Sequence, residues 1–561
     1  MDLRKGSEIL ADELNINHAD MVWHVPGESF LSALDALAMR HPEIQSICCR
    51  HENGAAQMAE AYGKLTGRPG IVFVTRSPGA TNAVNGIHTA FQDASPVILI
   101  IGQVKRSILE REAFMSYDFR TLFRPMTKWV GQIDSAARIP EFIQRAYQTA
   151  MSGRKGPVVL VIPEDVLEET CRVEAGLPAL PSRAGAVAQS DIDNIFAMLS
   201  AAENPLLIVG GGGWDVTARN DIQRFAEQNS IPVVTAFRRR DIIDHRLPCY
   251  AGEIGIGSNP ALLKHIRDTD FILVCNDALS DVNTIGAGYM EGFTLFSIPC
   301  PTQKIVHVMP DHGDLNRVFR TELALVAEVG DFAQALAQRR PIDKPQHRAW
   351  MQTLRAAYLR EVAHQPCPGK IDLPAIMGRL REKLPEDAIV TNGVGAYATW
   401  SQRYFPHYAL STQLGPISGT MGYSLPAAIA AKLLFPQRTV VCLVGDGCFQ
   451  MSSEELATAV QYGAAIIIVI FNNNLYGTIR IHEVNRLSGR AHGTDLVNPD
   501  FCALARAYGA HAEKVAATGE FMPAFERCLQ AGKPALIELE IEQETIHARY
   551  SLSELRARNK K

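Results

Sequence analysis

The sequence predicts an α/β protein made of three consecutive parallel-sheet domains. Three observations carry that expectation. The chain has 561 residues, and at ~100–200 residues per domain that length suits three. Short β-branched runs alternate with helical patterns from end to end, as in parallel sheets joined by helical crossovers. Two linker-like stretches break the alternation, "CRVEAGLPALPSRAGAVAQS" (171–190) and "AQRRPIDKPQHRAW" (337–350). They put the domains at 1–170, 190–336 and 350–545, with a C-terminal tail at 546–561.

In the first domain "MVWHVPG", "SICCR", "GIVFVTRSPG", "PVILIIGQV" and "PVVLVIPED" read as strands. Each is apolar on both faces, as parallel strands covered on both sides must be. A Gly, Pro or polar residue closes each one, placing loops at the carboxyl ends where open α/β sheets bind ligands. The pattern restarts with "PLLIVGGGG", "IPVVTAF", "FILVCND" and "KIVHVMPD". It restarts again with "AIVTNGVG", "TVVCLVGDG", "AAIIIVIFNNN" and "PALIELEIE".

Bulk properties narrow the function. The composition is 47% hydrophobic and 20% charged, with a net charge of −5 and no basic block. That argues against a nucleic-acid or anionic-membrane partner. No apolar run nears the ~18 residues that span a bilayer. The amphipathic start "MDLRKGSEILADELN" is no secretory signal. The eleven cysteines show no CxxC and no metal-ligand spacing, as expected of reduced thiols in a cytoplasmic protein.

The chemistry concentrates in the third domain. "TVVCLVGDGCF" is a strand running into a glycine turn, and "SSEELATAVQYG" reads as a helix with Ser452 or Ser453 as its N-cap. The next strand delivers Asn472, Asn473 and Asn474 to the same sheet edge. Asp446 and an amide oxygen on neighbouring strand ends suit a hard cation such as Mg2+. Gly445, Gly447 and Gly477 leave room there for a diphosphate.

This strand–GDG–helix–strand–NN order, with 27 positions from Asp446 to Asn473, resembles the thiamine diphosphate motif. The resemblance covers nearly the whole chain. It is to the superfamily of acetohydroxyacid synthase, pyruvate oxidase and benzoylformate decarboxylase, and within it to acetolactate-synthase-like proteins. It implies three domains in the order pyrimidine-binding, central Rossmann-like and diphosphate-binding. It implies Mg2+ on Asp446, Asn473 and the carbonyl of Leu475. "RHENGAAQMAEAY" resembles the segment carrying the family's catalytic Glu, here Glu52, which hydrogen-bonds the aminopyrimidine. "GTMGYSLPAAIAAK" resembles the segment whose bulky apolar residue, here Met421, bends the cofactor. Pro78 and Gly79 in "TRSPGATN", Gly395 in "TNGVGAYATW", and Cys448 and Tyr476 beside the motif complete the implied cofactor contacts. In this superfamily Glu52 and the GDG–NN motif come from different subunits. A homodimer is then the minimum, and a homotetramer is common.

Departures from acetolactate synthase limit the carry-over. Ala396 and Tyr397 replace a Gln-His pair. Met115 and Ser116 replace a polar pair beside Phe114. Thr478 and His482 stand where the family has Met and an acceptor-selecting Trp. The family's flavin contacts include an Arg that "CNDALSDVNT" (275–284) lacks, which argues against FAD, the cofactor some members carry in the central domain. Glu28, Ser29, Phe114, Thr478 and His482 are the candidate substrate residues, with His24, His51, His88 and Arg480 as further polar candidates. The expected activity is decarboxylation of a 2-oxo acid, carboligation, or both. The alternatives are an acyl-CoA lyase or oxalyl-CoA-type decarboxylase, a non-catalytic cofactor- or nucleotide-binding regulator, and an NAD-dependent dehydrogenase using the "GGGG" turn.

Overall fold

In the computed structural model, which describes residues 2–180, 184–286, 291–487 and 490–558, the chain builds three six-stranded sheets. Every pairing within them is parallel. The first sheet comprises Met21–His24, Gln45–Cys48, Gly70–Val74, Val97–Gln103, Trp129–Gln132 and Pro157–Pro163. Counted in chain order, these lie side by side as second, first, third, fourth, sixth, fifth. The third sheet comprises Ile389–Asn392, Gln413–Leu414, Val440–Gly445, Ile467–Asn472, His511–Val515 and Ala535–Glu540, in the same order. The middle sheet comprises Pro205–Val209, Val233–Thr235, Tyr250–Glu253, Phe271–Cys275, Lys304–Met309 and Leu323–Val326. Its order is third, second, first, fourth, fifth, sixth, that of dinucleotide-binding sheets. Strand Trp129–Gln132, both outer strands of the middle sheet and both outer strands of the third sheet are absent from the sequence reading.

A short antiparallel pair, Arg4–Lys5 with Thr170–Cys171, ties the two ends of the first domain together. One contact between the outer domains pairs a helix from each. Helix Glu52–Thr66 packs on helix Ser424–Leu434. Each follows the second strand of its sheet and precedes the third. Both are rich in alanine, and Ala55, Ala56, Ala59, Ala427, Ala428 and Ala431 share one buried core. Small side chains let such helices approach closely.

Charge is also buried at this seam. Lys64 pairs with Glu60 at 2.9 Å and with Asp93, and all three side chains are mostly or fully buried. Glu60 also accepts from Tyr423 at 2.5 Å and Ser95 at 2.7 Å. The Asp93 carboxylate accepts the backbone N–H of Ile417 at 3.0 Å and of Ser418 at 3.2 Å. The loop leading to Met421 is therefore fastened to the first domain. Burial pushes the Glu60 carboxyl above its ordinary range, and Lys64 pulls it back.

Candidate active site

Strand register brings the motif together. Strands Val440–Gly445 and Ile467–Asn472 run parallel, with Gly445 opposite Phe471. The residues that follow them, Asp446 and Asn473, therefore emerge at one sheet edge. A helix begins at once with Asp446–Gln450, and the next runs Glu455–Gln461. Neither Ser452 nor Ser453 is its N-cap. Glu454 holds that position without a side-chain hydrogen bond, because the carbonyls of Ser452, Ser453 and Glu454 already take the first amides of the helix.

A cavity of about 220 Å3 opens at this edge. Gly395, Met421, Gly445, Asp446, Gly447, Cys448, Asn473, Leu475, Tyr476, Gly477 and Thr478 all line it. Tight packing explains two of the glycines. A Cβ on Gly445 would lie 2.6 Å from the Tyr397 ring, and one on Gly447 would lie 2.5 Å from the Tyr476 ring. The remaining walls include Ile479, Ile541 and Ile546. Asp446 is 3% exposed. Its carboxylate accepts from the Gly447 N–H and from Asn498 Nδ2, both at 2.9 Å. Burial raises its pKa, which these donors and the N–H groups of Asn474 and Leu475 oppose.

The donor set tests the cofactor expectation. Asp446 is the only charged side chain among the described residues lining the cavity. An anionic diphosphate entering alone would meet a carboxylate and no Lys or Arg. A divalent cation would remove that conflict, and Asp446, the Asn473 amide and the Leu475 carbonyl offer the hard oxygen donors that would hold it. The apolar walls suit an aromatic or thiazolium ring. The residues present thus fit Mg2+ with thiamine diphosphate.

Asn498 is the residue sequence reasoning missed. Its Nδ2 also donates to Asn472 Oδ1 at 2.8 Å and to Asn474 Oδ1 at 3.2 Å. Asn472 turns away from the cavity and donates to Glu538 at 2.7 Å. Arg480 is buried and tied to Thr494 at 2.7 Å and Asp495 at 2.9 Å, so it is not free to meet a substrate. His482 is not among the cavity-lining residues.

The other predicted residues gather in the first domain. Glu52 opens helix Glu52–Thr66, is 8% exposed, and accepts from Asn82 Nδ2 at 2.9 Å. A Cβ on Gly79 would lie 3.3 Å from Glu52 Oε1, so Pro78 and Gly79 border the carboxylate. Ser29 is fully buried and bonded to Thr75 at 2.8 Å. Glu28 is exposed and 3.5 Å from Arg76. Phe114 is 80% exposed. Burial drives the His24 imidazole down to about 4, so it is neutral near pH 7. No first-domain residue lines the 220 Å3 cavity.

A second cavity, of about 300 Å3, lies where the first and central domains meet. Gly211, Gly212 and Gly213 border it after the first strand of the middle sheet, together with Arg154, Lys155 and Arg317. The 275–284 stretch adds Asn276 and Asp277 but no Arg.

Family models match the chain in series. Residues 4–122 match the thiamine pyrophosphate enzyme N-terminal TPP binding domain. Residues 192–336 match the central domain and residues 393–539 the C-terminal TPP binding domain of the same enzymes. The chain is 29% identical over 557 residues to the acetolactate synthase large subunit of Parasynechococcus marenigrum (strain WH8102), covering 96% of this chain and 87% of that protein. It is 27% identical over 545 residues to the acetolactate synthase isozyme 2 large subunit of Escherichia coli (strain K12), with 96% of each covered. It is 29% identical over 560 residues to the probable acetolactate synthase large subunit of Methanocaldococcus jannaschii, covering 96% of this chain and 92% of that protein.

Proposed function

We propose that this chain, which belongs to the thiamine pyrophosphate enzymes, is a Mg2+-dependent lyase or transferase. Its reaction is decarboxylation of a 2-oxo acid, with or without addition of the product to a second carbonyl. The observation that carries the reading is the cavity whose only charge among the described residues is the Asp446 carboxylate, set among apolar walls and glycines. Bound thiamine diphosphate supplies a carbon nucleophile and a sink for the electrons released with CO2.

The chain's own residues do the rest. Asp446, Asn473 and the Leu475 carbonyl hold Mg2+ and, through it, the diphosphate. Met421 shapes the ring end of the cavity. Glu52, held by Asn82, binds the far nitrogen of the aminopyrimidine and carries the proton exchanged there. Apolar walls exclude water from the reacting carbon. Because the lining comes wholly from 394–546, we infer that a second copy supplies Glu52, Pro78 and Gly79. A homodimer is the smallest active unit, and a homotetramer is the assembly the family favours. Thr478, which lines the cavity, borders the substrate space in place of a larger residue. That difference speaks against transferring acetolactate synthesis unchanged. FAD has no part in the proposed reaction. The 11 cysteines are all free, and a cytoplasmic setting is part of the proposal. No helix among the described residues is long and apolar enough to cross a membrane.

Thermal shift with thiamine diphosphate, Mg2+, both, FAD, NAD and CoA tests the cofactor. Stabilisation should need thiamine diphosphate and Mg2+ together, at about 2.7 kcal/mol when ligand is 100-fold above Kd. No shift with the pair would end the proposal. A panel of 2-oxo acids assayed for CO2 release then identifies the donor.

A further inference from the structure

Glu455 is a carboxylate that the cofactor site does not use. It is fully buried, and among the described residues no cation pairs with it. A buried charge without a counter-ion is costly unless hydrogen bonds satisfy it. Here they do, and most come from the other domain. Oε1 accepts the backbone N–H of Arg50 at 3.1 Å and of His51 at 2.9 Å. Oε2 accepts from Thr458 at 2.6 Å. Gly54 makes the approach possible, since a Cβ there would lie 2.3 Å from Glu455 Oε1. The next residues of the same segment extend the grip. Tyr462 accepts the Cys48 N–H at 2.7 Å, and Gln461 accepts from the Arg50 side chain at 2.6 Å. The third domain thus holds residues 48–51, the turn that ends in Glu52. Helix Glu455–Gln461, which does the holding, starts nine positions after Asp446.

We propose that Glu455 is a positioning residue, fixing the backbone that presents Glu52 to the aminopyrimidine. The inference rests on the reading of Glu52 as the proton carrier. The amide bonds set where the helix begins and hence where the Glu52 side chain points. Displacement of a reacting group by about 1 Å costs up to ~100-fold in rate, whereas the diphosphate anchor lies elsewhere. The expected signature is therefore a loss in kcat without a loss in binding.

The test uses the protein loaded with thiamine diphosphate and Mg2+, with Glu455→Ala and Glu455→Gln. In Glu455→Ala, amide exchange of peptides covering 46–56 should speed up while peptides covering 440–450 do not change. Turnover should fall roughly 10- to 100-fold, with KM and cofactor affinity retained. Glu455→Gln keeps one oxygen for both amides and should restore most of the turnover. Unchanged exchange at 50–51, a lowered Tm with unaltered kcat, or failure of the Gln variant to rescue would each overturn the proposal. Should Glu455→Ala not fold, Tyr462→Phe removes the hydroxyl that accepts from the Cys48 N–H and donates to the Ser46 carbonyl, and should give a smaller loss of the same kind. Normal turnover in that variant counts against the clamp. Glu52→Gln run alongside separates the two readings. Retained turnover there removes the acid role of Glu52, while the exchange measurement still decides whether Glu455 holds the turn.

Discussion

Asn498 faces three oxygens with an amide nitrogen that carries two hydrogens. It gathers Asp446, Asn472 and Asn474 at the rim of the proposed metal site without lining the cavity. Its removal should weaken Mg2+ binding about 10- to 100-fold, as for other groups that orient metal ligands. Mg2+ titration of Asn498→Ala in the presence of thiamine diphosphate reads this directly, and an unchanged affinity would contradict it. The sequence announces Asp446 and Asn473 because adjacent parallel strands hold them at a fixed spacing. Asn498 reaches the same point from 52 positions away, along a path that follows no repeating geometry, so spacing does not reveal it. His24 gives a prediction in pH. Burial holds its folded-state pKa near 4, below the ordinary 6.5. The unfolded chain therefore takes up the proton first, and stability falls as pH drops from 6.5 toward 4. The linked loss approaches about 3 kcal/mol by pH 4, and His24→Asn should flatten that part of a stability–pH curve. An equally steep curve in the variant would refute the assignment.

At the scale of elements, the buried charges of helix Glu52–Thr66 invite a test. Lys64→Met leaves Glu60 and Asp93 buried without their cation. That should cost about 3–5 kcal/mol and loosen the loop before Met421, lowering Tm and weakening cofactor binding together. A variant as stable as the parent would show that the network is dispensable. Elements also separate what the sequence discloses from what it conceals. The central strands of each sheet are apolar on both faces and were legible as such. The concealed ones all lie at sheet edges, where only one neighbour pairs. Trp129–Gln132, Leu323–Val326 and His511–Val515 are mostly half-buried. Gln413–Leu414 has only two residues, and Tyr250–Glu253 ends in Gly-Glu. None has the continuous β-branched run that marks a strand covered on both sides.

At the scale of the whole molecule, the division of site residues between outer domains predicts complementation. Glu52→Gln and Asp446→Asn should each be inactive alone. If each site draws on two chains, denaturing and refolding the two together yields mixed dimers with one intact site, and roughly a quarter of full activity. If each site draws on one chain, the mixture stays dead. The second cavity, with its three cations and glycine turn, is a separate property of the middle sheet, and its occupant does not enter that experiment.

The outer sheets share one strand order, and the helix that joins them is the same helix in each. The chain is thus folded upon itself as a pseudo-dyad, a fused pair of like halves meeting through like surfaces. Contacts of that kind are closed: once the two alanine faces are joined, neither can recruit another partner. The cavity at the Asp446 end of the second half takes no lining residue from the half that bears Glu52. With that interface used inside the chain, the proposed pairing of Glu52 with Asp446 calls for a second one, made with another molecule.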